Sequence, residues 1–75
     1  MTVAKRIKKF LDDKGIKQKA ISDLTDLNEM HISDVLNEKR NLNVENFKKI
    51  VKAISIIVPG VTANNFIIFE EEKQE

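Results

Sequence analysis

The stretch QKAISDLTDLNEMHISDVLN, residues 18–37, decides the fold of this chain. Its apolar residues fall into two short groups at helical spacing with a polar break between them. Ile16 to Leu24 predicts one short helix with Ala20, Ile21 and Leu24 inward. Asn28 to Leu36 predicts a second, with Ile32, Val35 and Leu36 inward. Thr25-Asp26-Leu27-Asn28 reads as the turn between them: Asp26 tolerates left-handed backbone and Asn28 can cap the second helix. Two short helices joined so tightly must cross at a steep angle, which forces apolar side chains at Ile21, Leu24, Leu27, Ile32 and Val35.

Outward from this pair, Val3, Ile7, Phe10 and Leu11 recur at helical spacing, with basic residues between them. They predict a helix over about 3–14, capped by Thr2 and stopped at Lys14-Gly15, where glycine supplies the left-handed residue. On the other side, residues 37–41 form a polar loop and Asn43 is an N-cap candidate. Val44, Phe47, Ile50, Val51 and Ile54 then make an apolar stripe with Lys48, Lys49 and Lys52 opposite, ending before the turn dipeptide Pro59-Gly60. Val61 to Phe69 reads either as a fifth short helix capped by Thr62 or, from the composition of Phe66-Ile67-Ile68-Phe69, as a strand. The expectation is one all-α domain over residues 1–69 with five helices, its C-terminal segment helical or extended, and a charged, fraying tail over 70–75.

Seventy-five residues make one domain. With no Cys and one His, disulfides, thiolate metal sites and a His-based zinc site are excluded, and His31 is read as an exposed residue or a phosphate neighbour. No run reaches the roughly 18 apolar residues that cross a bilayer, and no apolar segment follows the N-terminal charges as in a signal peptide, so a cytoplasmic protein is expected. Asp12-Asp13 is a helix-end pair rather than a catalytic dyad; no residue set supports an enzyme, and no cofactor is implied. Net charge is +1, but it is unevenly spread. Residues 1–19 hold seven basic and two acidic side chains, whereas residues 20–38 hold five acidic and no Lys or Arg. A basic edge beside an acidic patch suits an anionic partner at one face.

The chain resembles the lambda repressor and Cro-like (XRE-type) helix-turn-helix family. The matching residues are Gly15-Ile16-Lys17-Gln18, then Ala20-Ile21-Ser22, Leu27, Ile32-Ser33, Asn37, Lys39-Arg40 and the helix from Val44 to Ile54. The resemblance spans roughly residues 3–68 and rests on joint spacing, since each residue type is common by itself. It implies a domain that binds double-stranded DNA, with the second helix of the motif in the major groove and the first across the phosphates.

Carried over position by position, the resemblance implies that Lys17, Gln18, Lys19, Lys39, Arg40 and Asn41 approach the DNA backbone. It implies that Asn28, Glu29, Met30, Ser33 and Asp34 face the bases. It further implies a phage-type repressor acting as a dimer on a pseudo-palindromic operator, because one such module makes too few contacts for useful specificity. Apolar residues beyond the needs of so small a core place the homodimer surface over Ile56 to Phe69. The chain departs from the family at Asp26, where glycine is usual in the turn, at Ser22, where alanine is usual, and at Glu38, where glycine is common after the second helix. Two carboxylates, Glu29 and Asp34, also stand among the base-facing positions. Carboxylates repel phosphate but accept from cytosine N4. The alternative reading is therefore a protein-interaction module, such as an antitoxin or antirepressor, that keeps the fold with weak or no DNA binding.

Overall fold

The computed structural model describes residues 2–67. Four α-helices run through them: α1 (Val3–Lys14), α2 (Gln18–Asp23), α3 (Glu29–Leu36) and α4 (Val44–Ile57). A single 3-10 turn, Ala63–Asn65, stands where the fifth helix is expected. No strand occurs among the described residues, and Ile68 and Phe69 lie outside them.

Local chemistry accounts for most boundaries. Three helices begin at a polar cap whose side-chain oxygen accepts an otherwise unpaired backbone N–H. Thr2 Oγ1 accepts from Lys5 at 3.2 Å, Asn28 Oδ1 from His31 at 2.7 Å and Asn43 Oδ1 from Asn46 at 2.7 Å. The start of α2 is different: Lys17 precedes it without any side-chain cap, and Ile16 is still tied to the end of α1 through its N–H on Leu11 O, so the helix begins at Gln18 rather than at the expected Ile16. Gly15 ends α1 in the left-handed conformation, φ 70°.

The core is assembled from one face of each helix. Ile7 and Leu11 of α1, Ile21 of α2, Ile32 and Leu36 of α3, and Ile50, Ala53 and Ile54 of α4 are all buried in one cluster. Phe66 closes it from the C-terminal side, 1% exposed, with its ring edge-on to Phe10 at a centroid distance of 5.4 Å. Such aromatic pairs add about 0.5–1.5 kcal/mol beyond the area they bury. No polar side chain is buried among the described residues.

Several expectations are corrected here. Leu24 is not a core residue: it follows α2 rather than belonging to it and is 43% exposed. Val44 is 68% exposed because it opens α4 and lies beyond the stripe that reaches the core. Asp26 is not left-handed; Glu38 is, at φ 64°, the only described non-glycine residue with positive φ. Two hydroxyls hold the α2–α3 turn without a left-handed residue. Ser22 Oγ donates to Leu27 O at 2.8 Å, Thr25 Oγ1 donates to Ile21 O at 2.9 Å, and Leu27 N–H donates to Thr25 Oγ1 at 3.2 Å. Phe66 belongs to the core of its own chain, so it is removed from the expected dimer surface over Ile56 to Phe69.

Candidate nucleic-acid interface

The outer face of α3 is the centre of the site. Asn28, Glu29 and Met30 are exposed at its start, with Met30 at 68%, while Ser33 and Asp34 are half-buried further along. An open cleft lies on each side. One brings the start of α2 to the start of α3 and is lined by Lys17, Gln18 and Glu29. The other lies between α3 and the start of α4, where His31 and Asn46 meet Lys39, Arg40 and Asn41 of the connecting loop. Four of the five sequence-predicted base-facing residues thus lie on α3 and the fifth, Asn28, caps it, while predicted backbone-facing residues from the start of α2 and from the loop flank it.

The side chains differ in how free they are to reach a ligand. Asn28 has its carboxamide oxygen engaged as the α3 cap, which leaves its amide nitrogen free to donate elsewhere. Ser33 Oγ accepts from Asn37 Nδ2 at 3.3 Å. Asp34 faces Arg40 across the helix end, Oδ2 to Nε 3.4 Å, so a predicted base reader and a predicted backbone contact are partners of each other. Lys19 is paired with Asp23 at 3.4 Å. Lys17 and Lys39 have no acidic partner within salt-bridge distance among the described residues.

The basic N-terminal block is largely neutralised within the chain. Lys8 pairs with Asp12 at 3.3 Å, Lys9 with Asp13 at 2.8 Å and Lys5 with Glu38 at 3.7 Å. A hydrogen bond to Asp13, reinforced by the carboxylate charge, holds the Lys9 ammonium above the usual lysine range. Lys14 lies 5.8 Å from the Phe10 ring centroid. Exposed pairs of this kind add little stability, but each lowers the positive field that sequence counting suggests.

A further exposed pair fixes the turn to the body of the domain. Lys49 of α4 reaches Asp26 at 3.0 Å and Glu45 at 3.5 Å. The hydrogen bond to Lys49, then its charge, pulls the Asp26 carboxyl below its ordinary range; the same hydrogen bond raises Lys49. Sequence spacing carries no signal for this contact, because the two residues are far apart in the chain. Thr25 is read as part of the turn from the sequence, but the hydrogen bonds by which the Ser22 and Thr25 hydroxyls close it are not, although a hydroxyl on each side of a tight turn is a local signal for such bonds.

Among the described residues no group of His, Cys, Asp or Glu side chains is placed to hold a metal ion, and no helix is long and apolar enough to cross a membrane. No curated protein and no solved structure matches the chain. A family model described as Helix-turn-helix matches residues 7–56, from the middle of α1 to the last turn of α4, with α2 and α3 at its centre. The family is one of DNA-binding transcription regulators, not of enzymes. On this match, covering the greater part of its length, the chain belongs to the lambda repressor/Cro-like (XRE-type) helix-turn-helix family.

Proposed function

We propose that this domain is a sequence-specific repressor that reads double-stranded DNA with α3 and acts as a dimer on a pseudo-palindromic operator. The observation that carries the reading is the placement of α3 between two open clefts, one lined by Lys17 and Gln18 and the other by Lys39, Arg40 and Asn41. A helix seated in the major groove has phosphates along both walls, and donors on both flanks match that arrangement. Lys17, Gln18, Lys19, Lys39, Arg40 and Asn41 fix position on the backbone; Glu29 and Met30, the most outward side chains of α3, face base edges. In a dimer the two half-sites lie about 34–36 Å apart, one turn of the duplex. Ile56 and Ile57, 57% and 37% exposed at the end of α4, are the apolar residues offered to a second copy.

Binding to a mixed duplex pool as a function of salt tests this reading. Four cations releasing counterions give a log–log slope of about −3 to −4 per subunit. A slope near zero ends the DNA reading. The second reading, a protein-interaction module of the antitoxin or antirepressor kind, is favoured by one feature. The exposed face of α3 carries carboxylates, and one of them, Asp34, occupies Arg40. Salt-insensitive or absent duplex binding by a folded domain selects it.

A further inference from the structure

His31 is the one histidine of the sequence, and it sits beside the predicted reading face rather than in the core. Its ring leans from α3 onto α4, with Nε2 3.2 Å from Asn46 Nδ2. Both side chains line the cleft that also holds Lys39, Asn41 and Asn43. An amide nitrogen is a donor only, so this contact requires a lone pair on Nε2 and hence a neutral ring with its hydrogen on Nδ1. A protonated imidazole has donors at both nitrogens and cannot accept from the Asn46 amide. A protonated ring can keep this contact only if the Asn46 carboxamide turns over. Its Oδ1 then accepts from Nε2–H, and its NH₂ swings out into the cleft. One proton gives the cleft a positive charge and two outward N–H donors together.

The neighbouring charges leave that positive charge without a dedicated counter-ion. On α3, Asp34 is engaged with Arg40 and Glu29 belongs to the opposite cleft. In the loop, Glu38 lines the cleft but is paired with Lys5, and Lys39 and Arg40 are cations. On α4, Glu45 is held by Lys49, which also holds Asp26. The α4 amide nearest the cleft, that of Asn46, is already taken by Asn43.

We propose that His31 and Asn46 form a proton-dependent contact for one phosphate of duplex DNA, so that this domain binds DNA more tightly as pH falls. The inference rests on the DNA-binding reading above. Because protonation and phosphate binding each favour the other, the coupling is reciprocal: DNA binding also draws a proton onto His31.

The experiment measures affinity and salt slope for one mixed-sequence duplex at about pH 7.5 and about pH 5.5. The wild type is expected to bind several-fold tighter at the lower pH, with a slope steeper by about 0.9 per subunit for the added phosphate contact. His31→Gln should bind at both values as the wild type does at the higher one. His31→Lys, a fixed cation, should bind at both as the wild type does at the lower one. Circular dichroism melts identify any variant that fails to fold, and either variant alone suffices. Wild-type affinity that is the same at both pH values overturns the proposal while leaving the DNA reading intact. So does a pH response that persists in His31→Gln. Absence of duplex binding at either pH overturns both.

Discussion

Two helix ends in this domain, those of α1 and α3, are tied off by the same hydrogen-bond pattern with opposite chemistry. After α1, Ile16 N–H donates to Leu11 O at 2.8 Å and Gly15 N–H to Asp12 O at 3.2 Å. After α3, Lys39 N–H donates to Asp34 O at 2.7 Å and Glu38 N–H to Val35 O at 3.1 Å. Both are Schellman motifs, which place one residue in the left-handed conformation. At α1 that residue is Gly15, φ 70°; at α3 it is Glu38, φ 64°. The side chains that usually pack across the motif differ too. At α1 they are Leu11 and Ile16, both in or against the core. At α3 they are Asp34 and Lys39, on the side that faces the candidate interface, and Arg40 rather than an apolar contact closes onto Asp34. One end is built for stability. The other accepts backbone strain and charge beside the candidate interface.

The largest test of this contrast removes the packing of each motif in turn. Leu11→Ala should destabilise by roughly 2–5 kcal/mol, because Leu11 is buried in a small core. Asp34→Ala, the equivalent position of α3, should cost no more than about 1 kcal/mol, the range of an exposed ion pair. Urea titration measures both. Equal losses would mean that the α3 end is as structural as the α1 end.

Exchanging the left-handed residues has a smaller effect and runs in opposite directions. Gly15→Ala should destabilise by about 1–2 kcal/mol through left-handed strain alone, since a Cβ there meets nothing within 4 Å. Glu38→Gly should stabilise by about 0.5–1 kcal/mol, the relieved strain being partly offset by the greater chain entropy of glycine. For a domain of this size 1 kcal/mol moves Tm by roughly 4–8 °C, so thermal melts resolve both signs. A drop in Tm for Glu38→Gly would show that the glutamate makes contacts worth more than its strain.

Asp34→Asn tests the charge of the second end without emptying it. Stability should change by less than about 0.5 kcal/mol, and Arg40, released from its partner, should tighten binding to any duplex alike. If the variant instead prefers a different base at one position of each half-site, Asp34 reads a base. Its companion, Glu29→Gln, should alter base preference at one position by about 1–3 kcal/mol, which a binding selection detects.

The smallest effect concerns the clamp between the turn and α4. Asp26 has a lowered pKa in the folded state, so its pairing contributes stability that is present at neutral pH and lost as pH falls through the folded value. Asp26→Asn should therefore lower Tm slightly at neutral pH and leave it unchanged where Asp26 is protonated, which flattens the acid limb of a Tm-against-pH curve below about pH 4. Lys49 has the mirror behaviour: its raised pKa makes its contribution fade only as pH rises through the lysine range. An acid limb identical to that of the wild type would mean the pair does not persist in solution.

What the sequence determined by itself was the helix pair over residues 18–37, the helix ends around it and, from their joint spacing, the family, because all arise from short-range rules. Ile21, Ile32, Val35 and Leu36 bury their side chains where helical spacing puts them, and Thr2, Gly15, Asn28 and Asn43 act at the helix ends their chemistry suits. The candidate site was legible only as a set of positions: the residues expected to face bases lie on α3 or at its cap, and those expected to approach the backbone line the clefts beside it. Which of those donors remain free was decided by tertiary structure. Lys5 meets Glu38, Lys49 meets Asp26 and His31 meets Asn46, each across elements that no local pattern relates, and Arg40 meets Asp34 where the chain folds back on the end of α3. The same holds for the strained residue. Spacing directed attention to Asp26, where a family glycine is missing, but side-chain hydroxyls from Ser22 and Thr25 close that turn without left-handed backbone. The strain falls on Glu38 because the two hydrogen bonds that end α3 place that position in the left-handed conformation whatever residue occupies it.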